Sequence, residues 1–398
     1  MSAALNPARH TTRRRAAQHG MTMVELMVAL LLGLVTTYFI AQVFAVAEAH
    51  KRTATFGTDA QINGAVGLNT LRRHVLNAGY GITSVVETLG CPIYGEFGTA
   101  GSTTPAPAMV VAPLLITTSA VPAEPSDSIS VLTSTKSSFA APVRIKATHK
   151  APDVNQPAAF KVIGSVGVKE DDVILAMPMA WDNNNKCHLF TVKQDNSSPD
   201  TTLSLDTIPH VPAGSASSWN SAPNSGWPAN QFVEGDVIVN FGKIRRMVFG
   251  VSGDTFQVVT WTQEGIGNAE QLNSGVVLLK ALYGRDTDGD GRVDTYDTTT
   301  PVTNADWRRV LSVRMVMVAR SGQRERDIVT TAEPTWDVGG DVNVSYVKVP
   351  GGPATACAAG GGACKLPLPL SHLNDWQYYR YKVFDTAVPV RNMLWNLN

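Results

Sequence analysis

Five carboxylates crowd into twelve residues at Asp286-Thr287-Asp288-Gly289-Asp290-Gly291-Arg292-Val293-Asp294-Thr295-Tyr296-Asp297. They occupy positions one, three, five, nine and twelve of the stretch, with Gly291 at six and apolar Val293 at eight. Like charges this close repel unless a cation sits among them. Oxygens at alternate positions can fold round one hard ion while a glycine permits the sharp turn, which is the build of a twelve-residue calcium loop. The expected cofactor is therefore Ca²⁺. Asp286, Asp288, Asp290, Asp294 and Asp297 would supply carboxylate oxygens, and Arg292 its backbone carbonyl.

The loop resembles that of an EF-hand, with a departure at Asp297, where the EF-hand carries the longer Glu. Flanking helices are missing too, because Val276–Tyr283 reads as a strand. The expectation is an isolated calcium loop inserted in a β domain, as in dockerin-like and other extracellular loops, with weak affinity of about 10⁻⁴–10⁻³ M. The plain alternative is a solvated acidic turn, since Asp-Gly pairs are common in hairpins.

A second ionisable group stands out by position. Glu25 sits where a long apolar run begins, and from Leu26 to Ala47 the only strongly polar residue is Gln42. A run of about 20 apolar residues is long enough to cross a bilayer as a helix. A carboxylate at membrane depth is costly and reads as a functional group in need of a partner. An ordinary secretory signal would place a small-residue cleavage site after the apolar core, and none stands out near Ala45–Ala49. Arg13-Arg14-Arg15 before the run place the leader on the cytoplasmic side and the rest of the chain outside.

Gly20, the Thr22-x-x-Glu25-Leu26 spacing and the apolar run together resemble the class III signal of type IV prepilins and type II secretion pseudopilins. The resemblance implies cleavage by a prepilin peptidase between Gly20 and Met21, and N-methylation of Met21. Met21 stands where most members of the family have Phe, and both are large and apolar. It also implies that Glu25 pairs with the terminal amine of a neighbouring subunit during assembly. That is physically sound, because a buried carboxylate is tolerable beside a compensating charge.

Composition narrows the remaining possibilities. The chain has 398 residues and formal net charge +0. The leader holds four arginines (Arg9 and Arg13 to Arg15) and no acid, so its removal leaves 29 of 33 basic residues against 33 acidic ones, a net −4. That argues against nucleic acid as a partner, which needs clustered Lys and Arg. No G-x-S-x-G, H-E-x-x-H, phosphate-loop or G-x-G-x-x-G spacing occurs, so an enzyme is not expected. His188 and His210 look isolated and structural or exposed. Trp219, Trp227 and Trp261 could form a surface-binding patch, with core packing as the competing reading.

Cys91, Cys187, Cys357 and Cys364 all follow the apolar run. An oxidising compartment would let them form two disulfides, for which three connectivities exist. The expected pairing is Cys357–Cys364 as a short local loop and Cys91–Cys187 as a long-range staple. No C-x-x-C pair exists to suggest zinc.

The expected fold class is α+β and pilin-like, a long N-terminal helix followed by a large β-rich head that carries the calcium loop. The expected divisions are a leader over 1–20, an assembly half of the helix over 21–47, a head-packing half over 48–81, and a head over 82–398. Within the head, 82–240 could be an insertion or subdomain. Ile62, Ala65, Leu68, Leu71, Val75 and Ala78 lay one apolar stripe on the helix, Gly64 and Gly67 suggest a kink or melted stretch, and Gly79 can cap the end. Beyond it, strands are expected over Ala108–Ala112, Ser128–Thr133, Asp172–Ala176, Asp236–Phe241, Arg246–Gly250, Thr255–Thr262, Val276–Tyr283 and Val310–Ala319. Gly101–Pro107 and Pro212–Asn230 read as loops, and Pro350–Lys365 as a segment that a disulfide would order.

Three further stretches resemble minor pilins of the PilW type: Leu71-Arg72-Arg73…Ala78-Gly79-Tyr80, the strand closing in Arg320-Ser321, and the carboxyl terminus with Pro389-x-Arg391-Asn392. Structural closure is the expected role of that terminus. The resemblance implies a single-pass inner-membrane protein with its head in the periplasm that later enters the pulled-out pilus. Its implied partners are other minor pilins, the major pilin and a tip adhesin, in a complex that primes pilus polymerisation. Two alternatives stay open, a J-type minor pseudopilin of type II secretion and a calcium-dependent tip adhesin module.

Overall fold

The computed structural model describes residues 20–83, 85–94, 96–97, 104–105, 109–119, 121, 124–136, 141–149, 159–165, 167–193, 205–210, 219–220, 231–262, 265–348 and 352–394. The leader before Gly20, Trp227 and most of the loops at 101–107 and 212–230 lie outside these residues. The chain divides into two compact units, Met1–Thr55 and Phe56–Asn398.

One helix, Met23–Leu76, runs without interruption through both units. In the first unit, Met23–Glu48 is 26 residues long with mean hydropathy 2.1, enough by length and composition to cross a membrane. Its few polar groups are satisfied inside the helix. Thr36 Oγ1 and Thr37 Oγ1 donate to the Gly33 carbonyl at 2.9 and 2.7 Å, and Gln42 Nε2 donates to Tyr38 Oη at 2.8 Å. Internal satisfaction of this kind is what a hydrocarbon surrounding demands.

In the second unit the same helix lies on a core. Leu68, Leu71, Val75 and Ala78 are buried among residues from two sheets. The buried face is rotated from the stripe expected from sequence. Ile62 is exposed, as is Ala65, while Ala60, Gly64 and Gly67 are buried. The helix does not melt at the glycines. A Cβ at Gly64 would overlap the Phe384 ring, and one at Gly67 would press on Met317 Sδ at 3.0 Å. They are the residues that let the sheet approach the helix. The helix tightens through Asn77 N–H to the His74 carbonyl and Ala78 N–H to the Val75 carbonyl. Gly79 then turns the chain in the left-handed region at φ 78°, as expected of a terminating glycine.

Two six-stranded sheets flank that core. The first runs Gly265–Ile266, Thr255–Thr262, Ile244–Ser252, Ser128–Ser134, Leu114–Thr117, with Glu270–Ser274 branching onto Thr255–Thr262. The second runs Ala354–Cys357, Asn343–Val347, Thr295–Asp297, Val276–Arg285, Val310–Arg320, Tyr381–Pro389. Its central strands alternate between helix core and outer core: Leu279, Ala281 and Tyr283 face the helix, while Leu278 and Leu282 join Trp336, Tyr346 and Leu366 on the far side. A buried ion pair fastens the two sheets, with Lys280 Nζ 2.9 Å from Asp127 Oδ1 and Ala281 N–H donating to Asp127 Oδ2 at 3.0 Å.

A third sheet orders Met109–Val110, Pro92–Tyr94, Cys187–Thr191, Val173–Met177, Val237–Gly242, Val143–Arg144. The 82–240 stretch thus builds this sheet and also lends the 114–117 and 128–134 strands to the first one. Both disulfides pair as expected, Cys91–Cys187 and Cys357–Cys364. The first spans 96 residues and fixes a parallel pairing of Pro92–Tyr94 with Cys187–Thr191. Closing so long a loop in the unfolded chain costs about 4–5 kcal/mol on the chain-entropy account.

The carboxyl terminus closes the unit. Tyr381–Pro389 pairs with Val310–Arg320 from Ser312↔Pro389 to Arg320↔Tyr381. Beyond it, Asn392 Nδ2 donates to the Ala78 carbonyl at 2.8 Å, and its own carbonyl accepts from Thr83 Oγ1 at 2.9 Å. The last residues therefore hold the turn that ends the long helix, which is otherwise short of donors for its carbonyls. Asn392→Ala is expected to lower stability by about 1–2 kcal/mol, read as a fall in urea midpoint with unchanged slope. An unchanged midpoint would mean that the contact is incidental.

Candidate functional site

The first candidate lies at the start of the long helix. Thr22 is its N-cap and Glu25 the third helical residue, so the spacing noted in the sequence is also a capping box. Glu25 N–H donates to Thr22 Oγ1 at 3.3 Å, and Glu25 Oε2 accepts from Thr22 N–H and Thr22 Oγ1, each at 3.1 Å. The carboxylate thus completes the first turn, where the helix dipole favours a negative charge. Only Oε2 is engaged in these bonds. Gly20 and Met21, just before the cap, are exposed, and the large apolar side chains from Met23 to Val46 are all exposed within this chain. A helix apolar all round needs lipid or other apolar helices about it.

The second candidate is the acidic loop. Strand pairing begins at Arg285↔Thr295, so the loop proper is the nine-residue connection 286–294 of a hairpin. Asp286, Asp288 and Asp294 each place one carboxylate oxygen within 4.8 Å of the others. Oxygens about 2.3–2.6 Å from one calcium ion would fall within such a spread, and all the donors are hard oxygens, so the set fits that ion. Gly289 and Gly291 adopt φ of 86° and 82°, the left-handed turns the loop requires. Asp286 Oδ1 and Oδ2 accept from Gly289 and Gly291 N–H at 2.6 and 2.8 Å. Partial burial works to raise the Asp286 carboxyl, and these two donors outweigh it and hold it below its ordinary range. Thr287 does the same for Asp294 through its N–H at 2.6 Å and hydroxyl at 2.8 Å.

Two expected ligands stand apart from that trio. Asp290 Oδ1 accepts from Arg292 N–H at 2.7 Å. Asp297 lies past the hairpin in the 295–297 strand, where Arg285 grips it by Nε at 2.8 Å and Nη2 at 3.0 Å. The strand register fixes this, because it sets Asp297 opposite Tyr283 and beside Arg285. Asp297 therefore serves the hairpin stem, and the twelve-residue reading shortens to one that ends at Asp294.

Most of this hairpin and its sheet lies in one recognisable region. Residues 245–392 match the family of PilW, type IV pilus-assembly protein W. The PilW region begins inside the 244–252 strand and takes in the 276–285, 310–320 and 381–389 strands, the acidic loop and Asn392. The long helix and the whole of the third sheet precede it. The chain is also similar to a solved type IV-like pilin from Thermus thermophilus, at 9% identity and a TM-score of 0.21. That alignment covers 56% of this chain and 86% of the other. No curated protein matches the chain.

Of the other residues singled out from sequence, Trp219, His188 and His210 are buried and Trp261 is half-buried against one core. Trp219 is 1% exposed and stacks on Trp261 with ring centroids 6.5 Å apart, so it belongs to no surface patch. Nor are the histidines isolated. His210 Nε2 lies 3.0 Å from His149 Nε2, and Phe160 packs 4.1 Å from the His149 ring. Their separation of 61 residues hid the pair, which forms because the 149–232 and 192–210 bridges bring two chain crossings together. Burial pushes the His149 imidazole down to about 4 from 6.5. The unfolded chain therefore binds a proton that the fold refuses between about pH 6.5 and 4, and stability falls as pH is lowered through that window. Asp127, pushed up to about 6 by burial, acts in the opposite sense, so the His149 share is read by comparison: the stability lost between pH 7 and pH 5 in urea unfolding is expected to be smaller in His149→Phe than in wild type by on the order of 2 kcal/mol. Equal pH dependence in both proteins would show that this imidazole is not responsible.

Proposed function

We propose that this chain is a minor pilin of a type IV pilus, anchored by its apolar helix in the inner membrane with its head in the periplasm. In this reading a prepilin peptidase cuts between Gly20 and Met21 and methylates Met21. The chain then joins other minor pilins to prime polymerisation of the major pilin, and travels to the fibre tip beside an adhesin. The observation that carries the reading is the PilW match over 245–392, on the strands that receive the long helix.

The helix start supplies the assembly chemistry. Glu25 offers a carboxylate already aimed by Thr22, with Oε1 outside the capping bonds, to the terminal amine of a neighbouring subunit. A charge-assisted pair in a surrounding of low polarity is far stronger than the same pair in water. Because Oε1 lies outside the capping bonds, that pair can form with the first turn intact.

Calcium is proposed as a stabiliser of the 286–294 hairpin, held by Asp286, Asp288 and Asp294, where it would neutralise repulsion between carboxylates. No catalytic role is proposed. In thermal melts, calcium at about ten times its Kd is expected to raise the melting temperature by roughly 2 °C over a chelator control. Asp288→Asn should lose most of that rise. If wild type melts identically with calcium and with chelator, the loop is a solvated turn.

The functional test compares surface pili in wild type, a full deletion and Glu25→Ala. Loss of pili in the deletion, with reduced assembly in the point variant, is expected. Normal pili with blocked export of folded exoproteins would instead indicate a pseudopilin, and a defect confined to attachment would indicate an adhesin.

A further inference from the structure

Lys280 and Asp127 are opposite charges sealed in the interior, each 1% exposed. They lie 153 residues apart in sequence, with Lys280 Nζ 2.9 Å from Asp127 Oδ1. Lys280 occupies the middle of the Val276–Arg285 strand, with the Tyr346 ring centroid 6.0 Å from its Nζ. Asp127 directly precedes the Ser128–Ser134 strand. Backbone contacts hold the two in register. Asp127 N–H donates to the Leu279 carbonyl at 2.8 Å, and Leu279 N–H donates to Ser126 Oγ at 3.1 Å. Taking two charges out of water is costly, and their attraction repays it only in part. Burial accordingly pushes the Asp127 carboxyl up to about 6, although Lys280 and the Ala281 N–H pull it down.

An amine and a carboxyl group held this way can condense. In water their amide forms unfavourably, because two hydrated ions must be discharged. Folding has already stripped that hydration from this pair, so the main obstacle is gone. The protons balance within the pair. One passes from the Lys280 ammonium to Asp127 Oδ1 along their hydrogen bond, which leaves a neutral amine beside a neutral acid. The nitrogen lone pair then attacks Cγ, and the electrons of the C=O bond move onto Oδ2. The Ala281 N–H, 3.0 Å from Oδ2, stands where that developing oxyanion needs a donor. As the carbonyl re-forms, a second proton goes from nitrogen to Oδ1, the Cγ–Oδ1 bond breaks, and Oδ1 leaves as water. Fixed geometry makes such a step far faster than between free amine and acid.

We propose that Lys280 and Asp127 condense after folding into an intramolecular isopeptide bond between Nζ and Cγ, with loss of one water. The bond ties the entry of the Ser128–Ser134 strand in the first sheet to the centre of the second. Unlike the two disulfides, it survives a reductant. It takes the Asp127 carboxyl out of titration in wild type and His149→Phe alike, so the difference between those two proteins is unchanged. Nothing in it depends on the pilus reading.

Peptide mapping of the full chain, purified in detergent, then reduced and denatured, reads the bond directly. Trypsin should fail to cut after Lys280 and should release 74–136 joined to 247–285 as one branched peptide. Its mass should be one water below the sum of the two segments. On a reducing denaturing gel wild type should run ahead of the double variant Asp127→Leu with Lys280→Met, because its 127–280 loop stays closed. That variant removes both charges together and so leaves no unpaired one in the core. It should keep its full sequence mass and release 74–136 alone. A wild type that yields 74–136 and 247–280 as separate peptides would overturn the proposal and leave a plain ion pair. So would a missing water that persists in the double variant, since the dehydration would then lie elsewhere, as at Asp288-Gly289 or Asp290-Gly291.

Discussion

The second half of the long helix can reach its core only where it has no side chain in the way. Gly64 and Gly67 each cost helix stability, about 1 kcal/mol relative to alanine. In return Phe384 and Met317 close on the helix backbone, and Leu68, Leu71 and Val75 reach a core shared by both sheets. Small-residue lanes of this kind fix helix rotation, since any other face would bring a Cβ against the Phe384 ring. The remaining architecture follows from that contact. The 381–389 strand must lie where Phe384 meets Gly64, which brings Asn392 to the end of the helix, and the chain's last turn holds the turn after its first element.

The same helix obeys two solvents. From Met23 to Val46 the large apolar side chains are exposed while Thr36, Thr37 and Gln42 bond within the helix, the pattern required of a segment surrounded by hydrocarbon. From Ala60 onward one face is buried against the core. Glu25 sits at the start of the first pattern, where its capping bonds to Thr22 hold the carboxylate. The PilW region supplies part of the surface on which the second pattern rests, and the 114–117 and 128–134 strands supply more.

Sequence reasoning reached the features whose signal is local. The strands around 128–133, 172–176, 236–262, 276–283 and 310–319, the uninterrupted apolar run and the left-handed Gly79 were all legible in short windows. Both disulfides form the pairing favoured from sequence among the three possible. What sequence missed is non-local or disguised. Gly64 and Gly67 look like helix weaknesses until Phe384 is seen beside them. Asp297 fits a twelve-residue pattern by count, yet the register with Tyr283 hands it to Arg285. The His149–His210 contact depends on chain crossings that no periodicity encodes. Short strands such as Cys187–Thr191 escaped because five residues beside a cysteine carry little alternation.

The direct measurement is mass spectrometry on pili sheared from the cell surface, with the membrane fraction beside them. A pilus subunit should appear in the sheared fraction as a chain that begins at Met21 and carries one added methyl group. A chain found only in membranes, still bearing its residues before Met21, would contradict the assignment of this protein to the pilus.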